Sequence, residues 1–128
     1  MKRKILIIDD EQETCWLMER HLCAVNFEVS VAFDGEDGLS KAKLSHPDLI
    51  ILDLKLPKLS GEEVCRELKK DPGCCQIPVI IVSGKDAEAD RVIGRVIGAE
   101  YYITKPFDTD LLDEKIKSCL ERRLRESK

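Results

Sequence analysis

No run of apolar residues in this chain approaches the roughly 20 needed to cross a bilayer as a helix. The opening MKRKILIIDD meets acids too soon for a secretory signal, so a cytoplasmic protein is expected. Positive charge is not in surplus. The 21 basic and 25 acidic residues are spread along the chain and leave a net charge of -4, which excludes the electrostatic footprint of a nucleic-acid-binding module. None of the six cysteines (Cys15, Cys23, Cys65, Cys74, Cys75, Cys119) forms a C-x-x-C pair, and no His stands at ligand spacing from them. Reduced thiols acting as small apolar groups are therefore expected rather than a disulfide or zinc framework. Adjacent Cys74 and Cys75, in an expected loop, should be the most reactive. An internal linker is also missing. What is present, 128 residues with 43% apolar and 36% charged, fits one domain over residues 1–128 with a substantial core.

The chain is organised around Pro47 to Gly61, PDLIILDLKLPKLSG. Leu49 to Leu52 is an apolar run that ends on an acid, Asp53, and is followed by the turn residues Pro57, Ser60 and Gly61. That pattern predicts a buried parallel strand delivering a carboxylate to its C-terminal end, the edge at which open α/β sheets bind ligands.

Two periods alternate along the rest. Residues 4–8 (KILII), 27–33 (FEVSVAF), 79–82 and 101–104 read as further strands. The second alternates apolar and polar residues and is expected to be half-exposed, whereas 79–82 is wholly apolar and expected to be buried on both faces. Helical spacing covers 12–25 (Leu17, Met18, Leu22, Val25), 35–45 (Leu39, Ala42, Leu44) and the stretch from Ser60 (Val64, Leu68). It also covers 87–97 (Val92, Ile93, Val96, Ile97) and a last helix (Leu112, Ile116, Cys119, Leu120). Asp10 is a candidate cap for the first helix, Ser60 and Glu63 have capping-box spacing, and Asp108 or Thr109 caps the last. Trp16 is expected at the side of the first helix, and His21 as a partly buried structural histidine.

Five βα units with short connections predict an α/β fold: a doubly wound, five-stranded parallel sheet, (βα)5 and flavodoxin-like, in strand order 2-1-3-4-5. That order brings Asp9, Asp10 and Asp53 side by side, with Ser83 and Lys105 on the same edge. Clustered carboxylates repel one another unless a cation neutralises them, and Mg²⁺, a hard ion that takes oxygen ligands and accepts phosphate oxygens, suits the place. A carboxylate nucleophile beside such a cation can form an acyl phosphate, with a lysine and a hydroxyl bonding the other phosphoryl oxygens.

Asp9-Asp10, Asp53, Pro57 and Gly61, Ser83-Gly84 and YYITKPF from 101 to 107 stand at successive strand ends. Over nearly its whole length the chain resembles the CheY-like receiver domain of two-component response regulators. The resemblance implies that Asp53 is the phosphoacceptor, that Asp9, Asp10, Asp53 and the Lys55 backbone carbonyl hold Mg²⁺, and that Lys105 pairs with the phosphate. It makes Ser83 the switch hydroxyl and Tyr102 the switch aromatic, and implies a cis Lys105-Pro106 bond. Implied partners are a sensor histidine kinase or histidine phosphotransfer protein, docking on the first helix and the loop after the fifth strand, and an unknown output partner or domain. That output would be controlled through the face of the fourth helix, fifth strand and fifth helix. A monomer is the default, with a phosphorylation-dependent dimer through that face as the alternative state; neither nucleic acid nor membrane is contacted directly. The resemblance implies that the domain assists its own phosphorylation and dephosphorylation but is not otherwise an enzyme. Ser83 and Gly84 depart from the commoner threonine and alanine, and Lys55 and Lys85 flank the approach of the hydrolytic water as candidate modulators of acyl-phosphate lifetime.

Other functions fit less well. A haloacid-dehalogenase-like phosphatase needs an acid two residues after the nucleophile, where this chain has Lys55. A flavodoxin-like electron carrier needs a hydroxyl- and glycine-rich loop where this chain reads DDEQET. A phosphate-independent, receiver-like binding module is the remaining alternative.

Overall fold

The strands are the apolar runs, and they lie where hydrophobicity alone would put them. In the computed structural model, which describes residues 2–84 and 98–126, β1 (Lys4–Ile8), β2 (Glu28–Ala32), β3 (Leu49–Leu52), β4 (Val79–Ser83) and β5 (Tyr101–Thr104) form one sheet. All neighbours are parallel and the order is β2-β1-β3-β4-β5. β1, β3 and β4 sit inside this order, and Ile5 to Ile8, Leu49 to Leu52 and Val79 to Val82 are buried. Each such side chain removed from water stabilises the fold by about 1.5–3 kcal/mol. β2, at the edge, alternates as its sequence does, with Glu28 and Ser30 exposed.

Four helices are described: α1 (Gln12–Ala24), α2 (Gly35–Ser45), α3 (Gly61–Lys70) and α4 (Thr109–Glu126). The helix expected over 87–97 lies outside the described residues. One face of the sheet packs with Ala42, Val64, Cys65 and Leu68, and the other with Cys15, Met18, Leu22, Leu112, Ile116 and Cys119. Among the described residues no helix is long and apolar enough to cross a membrane.

Several inward positions differ from the helical-spacing expectation. Leu17 and Val25 are each 47% exposed and Leu44 is 84% exposed. Small residues take their places: Cys15 faces the sheet in α1, and Gly35, Gly38 and Ala42 face it in α2, where a larger residue would meet β1 and the loop after β3. Asp10 does not cap α1. Glu11 is the N-cap residue, and its N–H donates to Asp9 Oδ1 (2.9 Å). Asp34 caps α2 by accepting from the Asp37 N–H (2.8 Å), and Asp108 Oδ1 accepts from the Asp110 N–H (2.9 Å) at the start of α4. Ser60 Oγ accepts from the Glu63 N–H (3.3 Å), while the Glu63 carboxylate pairs with Arg66 (2.9 Å), so one half of the expected capping box is seen.

Long-range polar contacts tie these elements together. His21 Nε2 meets Asp113 Oδ1 at 2.8 Å and links α1 to α4, the structural role expected of it. Lys41 Nζ on α2 donates to the Val31 carbonyl of the edge strand (2.6 Å). Trp16 is exposed, and the Arg20 guanidinium lies 4.8 Å from its ring centroid.

All six cysteines are free. Cys15, Cys65, Cys74 and Cys119 are buried, Cys75 is half-buried and Cys23 is exposed. Burial pushes the Cys15 thiol up to about 12 and that of Cys119 up to about 11. Cys74, expected to be reactive, is a core residue whose Sγ donates to the Ala42 carbonyl (3.7 Å). A disulfide reagent at neutral pH is expected to modify Cys23 first, Cys75 more slowly and the other four only in denaturant; rapid labelling of Cys74 in the folded protein would contradict this packing.

Candidate functional site

The parallel order turns the C-terminal ends of β1, β3, β4 and β5 to one edge, and the polar residues that end those strands meet there. Asp9 follows β1, Asp53 follows β3, Ser83 closes β4 and Lys105 follows β5. Asp9, Asp53 and Ser83 are buried, which is unusual for such residues unless they are paired. Asp10 is exposed at the rim. Oxygens of Asp9, Asp10 and Asp53 all lie within 4.8 Å of one another, as the strand order required.

Lys105 is the cation that holds this group together. Its Nζ lies 2.8 Å from Asp9 Oδ2 and donates to Asp53 Oδ2 (3.1 Å) and to Glu11 Oε1. Burial opposes the lysine's charge, but its pairing with Asp9, Glu11 and Asp53 outweighs it and holds its pKa above the ordinary value. Burial also pushes the Asp9 carboxyl up, against the pull of Lys105 and the Glu11 N–H. Asp53 is oriented from its other oxygen, where Oδ1 accepts from the Lys55 N–H (3.1 Å). The Lys105-Pro106 bond is cis.

An open cleft of about 280 Å³ is lined by Asp10, Glu11, Asp53, Lys55, Ser83, Gly84 and Lys105. A second, of about 580 Å³, shares Glu11, Gly84 and Lys105 and runs past Thr14, Leu17, Pro106 and Phe107 between α1 and the loop after β5. The oxygen-only donors fit a hard divalent cation such as Mg²⁺, and so does Asp9 Oδ2, which is buried and accepts no hydrogen bond of good geometry beside its ion pair. Tyr102, on β5, is half-buried against the core on the α2 and α3 side. Lys85 lies outside the described residues. Glu11 was not picked out as a site residue: it lies one position past the acidic pair, and its link to Lys105 spans 94 residues.

The sequence pattern of the response regulator receiver domain matches residues 5–117. The chain belongs to that family. This receiver domain is 40% identical over 122 residues to the alkaline phosphatase synthesis transcriptional regulatory protein PhoP of Bacillus subtilis, a match covering 95% of this chain and 50% of that protein. It is 41% identical over 121 residues to a probable transcriptional regulator, ycf27, of Porphyridium aerugineum, covering 94% of this chain and 49% of that one. The receiver thus spans about half the length of the curated relatives it matches. Among solved structures it resembles a CheY-like response regulator receiver domain protein from Methanospirillum hungatei (TM-score 0.91, 29% identity, 98% of this chain and 99% of that chain). A receiver of two-component signalling, rather than a phosphate-independent binding module or a member of a classical enzyme family, is the reading these matches favour.

Proposed function

We propose that Asp53 is the phosphoacceptor of this receiver, taking its phosphoryl group from a phosphohistidine on a sensor histidine kinase or a histidine phosphotransfer protein in the cytoplasm. An Asp53 carboxylate oxygen attacks phosphorus; the new P–O bond forms as the P–N bond to imidazole breaks, and the released imidazole takes up a proton. The observation that carries this reading is the buried Asp53 carboxylate with Lys105 Nζ 3.1 Å from one oxygen and the Lys55 N–H 3.1 Å from the other. Phosphoryl transfer asks for little else from a protein than positioning and charge stabilisation.

Asp9, Asp10, Asp53 and the Lys55 backbone carbonyl would hold Mg²⁺, which when bound supplies positive charge against the carboxylates and the phosphoryl oxygens. The Lys105 ammonium and the Ser83 hydroxyl bond the remaining phosphoryl oxygens. Phosphorylation adds negative charge at Asp53, draws Ser83 towards it, and lets Tyr102 turn inward behind it. The population shift changes the face that includes β5 and α4, and that face controls an output domain or partner. The receiver itself touches neither nucleic acid nor membrane, and it is monomeric before phosphorylation. A phosphorylation-dependent dimer would use the same face.

The test is intact mass after incubation with acetyl phosphate and Mg²⁺. Wild type is expected to gain one labile phosphoryl group, and to gain none with a chelator or as Asp53→Asn. The same gain in folded Asp53→Asn overturns the assignment.

A further inference from the structure

The ammonium of Lys105 has three N–H donors, and three carboxylates surround it: Asp9 at 2.8 Å, Asp53 at 3.1 Å, and Glu11. Two of those donors are bonded, to Glu11 and to Asp53, and the ammonium is ion-paired with Asp9 besides, so a phosphoryl oxygen arriving there competes with carboxylates for the lysine and one of them gives way. The side chain of Asp9 is 2% exposed, so of the three carboxylates it has the least water to turn to when the lysine leaves. Asp53 is the group that receives the phosphoryl. The Glu11 side chain is 58% exposed and water can solvate it as soon as the lysine leaves. Glu11 is also fixed in place by the fold, as the residue before α1 whose own N–H is bound to Asp9 Oδ1 (2.9 Å). It lines both clefts that meet at Lys105.

We infer that Glu11 is a positioning residue that holds the Lys105 ammonium before phosphorylation and must release it as the phosphoryl group reaches Asp53, so that it slows phosphorylation. This rests on Asp53 being the phosphoacceptor. Glu11 never touches the transferred group. It sets where the lysine points, and so how far the lysine has to be redirected for transfer.

The experiment measures the rate of phosphoryl uptake by intact mass, with Mg²⁺, for wild type and Glu11→Gln, which keeps the side chain's shape without its charge. Two small donors are compared: acetyl phosphate, and phosphoramidate, which carries one less negative charge. If Glu11 acts through Lys105, Glu11→Gln accelerates uptake by about three- to tenfold, on the scale of a partly exposed ion pair, and by the same factor with both donors. Unchanged rates overturn the inference. So does an acceleration confined to the more negative donor, since that would mean the carboxylate merely repels anions at the cleft mouth. If wild type takes up phosphoryl from neither donor, the phosphoacceptor reading itself fails. Uptake by wild type with identical rates in Glu11→Gln removes only the role of Glu11.

Discussion

Lys105→Ala is expected to lower stability at neutral pH, in the absence of divalent cation, by about 3 kcal/mol, the scale seen when one partner of a buried ion pair is removed. The reason is what stays behind. Asp9 and Asp53 are buried, and their oxygens lie within 4.8 Å of each other and of Asp10. The lysine, with only 12% of its side chain exposed, is the positive charge set against these carboxylates. The sign of the pH dependence follows from Asp9, whose pKa burial already raises above 3.8. An acid with a raised folded pKa binds more protons folded than unfolded, so the stability it contributes declines as pH rises from the unfolded value through the folded one. Removing Lys105 raises that folded value further. The deficit of Lys105→Ala should therefore be largest near neutrality and narrow as pH falls towards 3.8. Mg²⁺ should restore part of it. Urea titrations of the two proteins across this range, with and without Mg²⁺, measure the effect; equal midpoints at neutral pH, or a deficit that widens on acidification, would refute the account.

The second large effect is expected at a residue with no charge. A Cβ added at Gly61 would lie 2.3 Å from the Asp53 carbonyl oxygen and 2.6 Å from the Leu54 Cα. Both are backbone atoms and neither can rotate away. Gly61 starts α3 while its N–H donates back to the Leu54 carbonyl (2.9 Å), so the helix and the end of β3 touch directly. Gly61→Ala must push them apart and is expected to destabilise by about 3 kcal/mol, the upper end for overpacking. Because the atom pushed is the backbone of Asp53, uptake from acetyl phosphate should fall as well, by up to about 100-fold for a displacement near 1 Å. Gly84→Ala is the control. Its Cβ would sit 3.6 Å from the Lys105 Cβ, an ordinary contact, and stability should stay within about 0.5 kcal/mol of wild type. Equal losses in the two variants would show that loss of glycine as such, rather than the contact at Gly61, is responsible.

The sheet and its acidic edge were legible because parallel strands buried on both faces must be apolar runs, and because a residue at a strand's end has its position set once the strand order is known. Asp9, Asp10, Asp53, Ser83 and Lys105 are brought together on that logic alone. Helix faces were less legible. Leu17 and Leu44 carry the hydrophobicity, but Cys15 and the small residues of α2 face the sheet, and at Gly35 and Gly38 α2 lies too close to the loop after β3 and to β1 for a larger side chain. Hydropathy scores a residue's preference and says nothing of the width of the gap it must fill. Contacts between long polar side chains were the least legible. Glu11 with Lys105 and His21 with Asp113 join residues 94 and 92 positions apart through side chains whose reach and rotamer no local pattern encodes.

One contact at the margin of the sheet bears on how such domains meet one another. An edge strand offers unpaired backbone groups to any other chain that can lie beside it. On β2 the Val31 carbonyl is already taken by the Lys41 ammonium, and Glu28 and Ser30 face water beside it. A second copy approaching in register would have to displace a charged hydrogen bond and bury a glutamate. Crowded copies of this receiver are thus discouraged from growing a shared sheet through β2, the route that leads to aggregates.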